Sequence, residues 1–337
     1  MQKGSNFNYA LSGISLLITA ALYSPLVQAE VDVYGSIRAG WVNKSTNSEN
    51  FHDTFDDQVS RFGIAGSNNI NKDLVLTYGV EQGIDITDAE LDDLPRNLYI
   101  GLESAHWGNF AIGRLDSGAT GGSPFYSQVL NITNFAPYDA GIAAVGTSIF
   151  NARNRTSNSI GYSSNKNDGW VYRARYYNNG NGIFNFTGGD TRSLDLGAEY
   201  ENEHLKFAVG YGKDWSDEAK ALDYKWQTGL RYTESKLIQP YVLLGQDHYN
   251  QDTLNYLLTG TKLSKGKHAL ILNYAQRDIL NKPDAVYRKH MVGYIYNITK
   301  KLSVNLAYDY DVKDYANNQD VTKGYGIGMR YDFKLFE

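Results

Sequence analysis

Apolar and polar residues alternate from Val31 onward. Val31, Val33, Ile37 and Trp41 share one parity, and Asp32, Ser36 and Arg38 share the other. A period of two residues belongs to an extended strand whose two faces meet different surroundings. Leu205, Phe207, Val209 and Tyr211 alternate with Lys206, Ala208, Gly210 and Gly212 in the same way. Leu302, Val304, Leu306, Tyr308 and Tyr310 alternate with Ser303, Asn305, Asp309 and Asp311. The pattern predicts sixteen strands, at 31–42, 59–67, 73–86, 96–104, 108–115, 156–164, 169–178, 192–201, 204–213, 222–233, 236–247, 253–264, 267–278, 286–298, 301–312 and 322–333. No segment after residue 30 carries a helical period.

Connection length alternates as well. Turns such as Ala105 to Trp107, Glu234 to Ser235 and Thr299 to Lys300 are tight, and the connections between them are longer. Short turns at one end and long loops at the other mark an outer-membrane barrel. The third long loop, about 116–155, exceeds the rest, and a loop of that length is usually functional.

A soluble sandwich would also alternate, so the faces have to separate the two folds. Trp41, Tyr78, Trp170, Tyr176, Tyr200, Tyr211, Tyr232, Tyr310, Tyr331 and Phe333 sit on the apolar parity near strand ends, as an interfacial girdle requires. Arg38, Glu81, Arg173, Arg175, Glu199, Arg231, Asp309 and Arg330 carry charge along the other parity, which suits a watered lumen. Closure also removes sheet edges, and sixteen strands enclose an open channel where about eight would be filled by side chains.

Composition narrows the picture. The 337 residues include 27 Tyr, 33 Gly and no Cys, and 32 basic against 37 acidic groups give a net charge of -5. Without cysteine there is no thiol chemistry or disulfide framework, and the acidic balance gives nucleic-acid binding no footing. Residues 1–29 read as a cleaved signal peptide: Lys3, an apolar stretch from Ile14 to Tyr23, and Val27-Gln28-Ala29 before the expected cleavage. The exported barrel domain is then 30–337.

Catalytic arrangements find little support. Asp247 and His248 resemble a dyad, but neighbours on a strand point to opposite faces. The histidines lack metal-protease spacing, Asp309 to Asp314 lacks the glycine of a calcium loop, and Gly118 to Ser123 lacks the lysine of a phosphate loop. No catalytic residue, cofactor or metal is expected.

Several ordered segments carry a resemblance. Tyr34 to Gly40 (YGSIRAG), Ser60 to Ser67 (SRFGIAGS), Tyr78 to Gly83 (YGVEQG), Arg96 to Leu102 (RNLYIGL) and Gly108 to Asp116 (GNFAIGRLD) resemble the opening strands of Gram-negative general diffusion porins. Arg155 with Asn158 to Tyr162 resembles the strand that leaves their third loop. The resemblance implies a homotrimer of sixteen-stranded barrels in the outer membrane, among lipid and lipopolysaccharide. Each barrel would pass ions and small hydrophilic solutes passively, past a third loop folded inward. Arg61 and Arg96 match wall arginines of the family, Arg153 or Arg155 supplies a third, and Arg38 sits where relatives often carry a basic residue. Arginine suits that place because it stays charged at any relevant pH.

Two departures stand out. The third loop up to Phe150 offers only Asp116 and Asp139 as acids, so the acidic side of the expected constriction is thin and the sign of selectivity stays open. Lys334 to Glu337 follow Phe333, where relatives often end. A substrate-specific channel, an embedded enzyme and an adhesin or receptor barrel are the alternatives.

Overall fold

A strand with one apolar and one polar face can sit in a bilayer only if its backbone groups are paired on both edges. The computed structural model shows how this chain meets that condition. It describes residues 30–47, 52–57, 59–116, 123–125, 155–178, 192–215, 222–249, 252–280, 282–315 and 318–335. The expected signal peptide, Asp139, Arg153 and most of the third loop lie outside the described residues.

Eighteen β-segments follow one another: β1 (Glu30–Thr46), β2 (His52–Asp57), β3 (Ser60–Asn71), β4 (Leu74–Asp85), β5 (Glu90–Leu91), β6 (Asn97–Ser104), β7 (Gly108–Leu115), β8 (Thr156–Ser163), β9 (Trp170–Asn178), β10 (Arg192–Glu201), β11 (Leu205–Trp215), β12 (Leu222–Tyr232), β13 (Ile238–Tyr249), β14 (Thr253–Lys265), β15 (His268–Ile279), β16 (Lys282–Asn297), β17 (Leu302–Tyr315) and β18 (Asn318–Leu335). Wall neighbours pair antiparallel, and β18 returns to β1 in a ladder from Val33↔Leu335 to Thr46↔Thr322, which closes the sheet. β2 and β3 lie end to end along β1, against Ala39–Lys44 and Glu30–Ser36. β5 and β6 do the same along β4. Eighteen segments therefore make sixteen wall strands, the expected barrel.

Exposed apolar side chains face outward and charges are buried inside, beside an inward apolar cluster that includes Leu243, Leu258, Ile271 and Met291. Ile100 is 55% and Ile327 47% exposed on the outer face, while Arg38 at 1% and Asp195 and Lys225 at 0% lie inside. Outer aromatics gather near the strand ends: Trp41 meets Tyr325 edge-on at 5.6 Å, and Trp107, Phe110 and Tyr162 pack in series beside a short turn. Amphipathic rings favour such interfacial depths.

The strands run longer than the pattern predicts at the loop end. β1 continues to Thr46, β16 begins at Lys282 rather than 286, and β18 begins at Asn318 rather than 322. Beyond the bilayer both faces meet water, so the alternation fades while backbone pairing continues. The tail departs too: β18 ends at Leu335, Lys334 forms a 2.9 Å ion pair with Asp32, and Phe333 lies over Gly35, where a Cβ would come within 2.4 Å of its ring.

Leu306, 48% exposed on the outer face of β17, tests the orientation. Leu306→Arg is expected to destabilise the barrel by about 2–4 kcal/mol, read as a lower urea midpoint in lipid vesicles.

Candidate functional site

Residues facing the lumen on β3 and β4, just before β6 and at the strand ends beside the third loop form a run of alternating charges. The Arg96 Nε donates to Glu81 Oε1 at 2.6 Å, and the Arg61 Nε lies 3.6 Å from the same oxygen. The other end of Arg96 lies 3.6 Å from Asp116 Oδ2, to which the Arg155 Nε donates at 3.2 Å. Among the described residues the order is Arg61, Glu81, Arg96, Asp116, Arg155: three guanidiniums held by two carboxylates. Charge-assisted contacts of this kind fix long side chains that a watered lumen would otherwise leave mobile.

The backbone explains the placement. The second wall strand is interrupted before Ser60, at Val59, whose φ of 65° lies in the left-handed region. Across the break the Ser60 hydroxyl donates to the Arg38 carbonyl at 2.9 Å and accepts from the Arg38 N–H at 2.8 Å. That side-chain bridge restores the ladder, and Arg61 then points inward. Arg38 belongs to a neighbouring relay rather than to the run: its Nε donates to Ser36 Oγ at 2.8 Å, Ser36 donates to Asp332 at 2.6 Å, and Arg330 donates to Asp332 at 2.9 Å.

Two glycines shape the space beside the run. A Cβ on Gly63 would sit 2.5 Å from the Tyr34 ring, and one on Gly79 would sit 2.6 Å from the Tyr99 ring. Each ring lies flat over its cross-strand glycine, and a cavity of about 370 Å³ opens among Tyr34, Tyr99, Glu81, Asp116 and Lys334. Arg114, next to Asp116, is turned to structure instead: it donates to the Pro95 carbonyl at 2.6 Å and to Ser157 at 2.8 Å, tying the start of β6 to β8.

The far wall carries its own pairs. Arg175 and Asp195 meet at 2.9 Å and Lys225 and Asp247 at 3.6 Å, all fully buried. Phe125 touches this wall, with Lys225 Nζ 4.3 Å over its ring and Gly212 beneath it. β12 lies five strands round from β7, where the third loop begins.

Of the residues expected from sequence, the structure therefore joins Arg61, Arg96, Arg155 and Asp116, and sets Arg38 beside them. Asp139 and Arg153 lie outside the described residues. Glu81 is the member that sequence reasoning missed as a partner: its parity marked it as a lumen charge, but its position between two arginines depends on the β3–β4 and β4–β6 registers, Gly63↔Glu81 and Glu81↔Asn97. Asp247 and His248 point apart, Asp247 to Lys225 and His248 to Thr253 at 2.8 Å.

A family model described as Gram-negative porin matches residues 15–334. The chain belongs to the Gram-negative porin family. Solved structures agree in fold. An anion-selective porin from Comamonas acidovorans superposes with TM-score 0.71 at 16% identity, over 91% of this porin and 100% of that chain. The trimer form of OmpT, an outer membrane protein of Vibrio cholerae, gives 0.68 at 15% identity, over 90% and 99%. Salmonella typhi OmpF, in complex with daunomycin, gives 0.66 at 17% identity, over 90% and 97%. No curated protein sequence matches at a significant level. The porin is an outer-membrane diffusion channel, and family and fold point to a channel rather than an enzyme.

Glu81→Gln removes the carboxylate shared by Arg61 and Arg96. The expected result is a reversal potential shifted toward anions under a salt gradient, with the barrel still folded by heat-shifted gel mobility.

Proposed function

We propose that the porin is a passive, homotrimeric channel with a weak preference for small anions, set where the run from Arg61 to Arg155 borders the lumen. The observation that carries this reading is the count in that run among the described residues: three guanidiniums against the carboxylates of Glu81 and Asp116. A ring of fixed charge with one sign in excess raises the local concentration of the opposite ion. The chain's net charge of -5 acts less strongly, because charges more than about 10 Å from a permeating ion are screened at 0.1 M salt.

The third loop narrows the pore in this reading. Support comes from Phe125, buried against Lys225 on the wall five strands from the loop's origin. A trimer is supported by the trimer form among the similar folds. Permeation itself needs no chemistry: ions and small hydrophilic solutes move down their gradients, and the charged run biases which of them enter. The family's channel fold and the divergence of Asp247 from His248 favour this reading over an embedded enzyme.

The test is conductance in a planar bilayer, with the reversal potential under a salt gradient. Openings in steps of three and a potential of anionic sign are expected, and a cationic sign overturns the selectivity. Replacing Arg61 and Arg96 together by Gln is expected to move the potential toward cations, and an unchanged potential removes those two from the selective site.

A further inference from the structure

A second charged group lies at the outer mouth, on strands far from the run described above. Cross-strand pairing sets Arg277 of β15, Tyr287 of β16 and Lys313 of β17 side by side, in the row Arg277↔Tyr287↔Lys313. All three take lumen parity, the parity of buried Ala275, Lys289 and Asp309 on the same strands. Arg277 stands two residues before the outer end of β15 and Lys313 two before that of β17.

All but one of the acids of this wall are engaged or turned elsewhere. Lys289 draws Asp309 at 2.7 Å and Asp311 at 3.3 Å, and Asp311 also accepts the Tyr287 hydroxyl at 2.9 Å. Asp247 is held by Lys225 at 3.6 Å. Asp314 faces outward to Arg288 at 2.8 Å, and Asp278, on the outer face beside Arg277, accepts from Asn255 at 3.1 Å. The exception is Asp320, Lys313's cross-strand neighbour on β18, which shares its lumen parity; it is exposed at the rim and lies outside ion-pair distance of Lys313.

Among the described residues, therefore, neither Arg277 nor Lys313 has a carboxylate within ion-pair distance. What holds them is the ring between them: the Arg277 guanidinium lies 5.5 Å from the Tyr287 centroid and Lys313 Nζ 5.3 Å from it. Cations rest against an aromatic face by its quadrupole, which leaves their charge uncancelled. Tyr287 is 5% exposed and tied to Asp311 by its hydroxyl, so it is a fixed post for both.

We propose that Arg277 and Lys313 form an anion-recruiting station at the outer mouth, positioned by Tyr287, which gathers inorganic anions and small carboxylates before they reach the narrower part of the lumen. It goes beyond the selectivity proposed for the Arg61 to Arg155 run and does not depend on it. Two positive charges near an ion path raise local anion concentration most at low salt, when the screening length is about 30 Å at 0.01 M and about 3 Å at 1 M.

The absence of cysteine in the 337 residues supplies a direct probe. Thr322, paired with Asp311 on β18, has lumen parity near the station. A Thr322→Cys variant, in otherwise unaltered full-length protein, is treated with a negatively charged methanethiosulfonate and separately with a trimethylammonium one, at low and high salt. Adding Arg277→Gln and Lys313→Gln is expected to lower the ratio of anionic to cationic modification rates roughly three- to tenfold at 0.01 M salt, and to leave it nearly unchanged at 1 M. In the bilayer the same pair of substitutions is expected to lower anion permeability at low salt while conductance at 1 M stays constant. An unchanged rate ratio at low salt overturns the station. The thiol readout needs no current, so a failure of the anion preference proposed for the Arg61 to Arg155 run does not mask the outcome. Tyr287→Phe, which keeps the ring and loses the hydroxyl, is expected to retain most of the ratio. Tyr287→Leu is expected to lose it, and equal ratios in the two remove the positioning role of the ring.

Discussion

Every backbone amide and carbonyl inside a bilayer has to find a partner within the protein, because hydrocarbon offers none. In this chain that demand is met at one seam, where β18 returns to β1 along the ladder from Val33↔Leu335 to Thr46↔Thr322. Without the seam two strand edges would face lipid. With it, the sheet has an inside and an outside, and the meaning of each parity follows. Outward positions take aliphatic and aromatic side chains, and inward positions can hold charge because water enters the lumen.

Closure also explains how charges can be so close-set. A buried ion pair in a soluble core gives up solvation that its attraction barely repays. Here Arg61, Glu81, Arg96, Asp116 and Arg155 share a watered wall, and each carboxylate serves two guanidiniums. The outer mouth uses a different device: Tyr287 holds Arg277 and Lys313 by its faces, so both are fixed without being neutralised. The two groups sit on different parts of the wall and are held by different physics.

Local irregularities do much of the positioning. The break before Ser60 would cost a ladder bond, and the Ser60 hydroxyl, bonded both ways to Arg38, restores it. The same break directs Arg61 toward Glu81. Gly63 and Gly79 let Tyr34 and Tyr99 lie flat against the wall, which keeps the lumen open beside the run.

The sequence by itself determined the barrel, its sixteen wall strands and the two-faced character of most of them, because period two is a local property; breaks such as the one at Val59 and the bulge at Leu222, and the inward apolar cluster around Leu243, Leu258 and Met291, were set by the sheet. It also marked Arg38, Arg61, Arg96 and one of Arg153 and Arg155 through resemblance to the family, with Asp116 and Asp139 as the acids of the third loop. It could not show that the acid between Arg61 and Arg96 is Glu81, or that Tyr287 stands between Arg277 and Lys313. Those neighbours are 15 residues apart at Arg96 and Glu81, and they meet only through strand register. A one-residue slip would turn every such side chain to the other face. Register is fixed by the closed sheet as a whole, so which charges meet was decided by the tertiary structure alone.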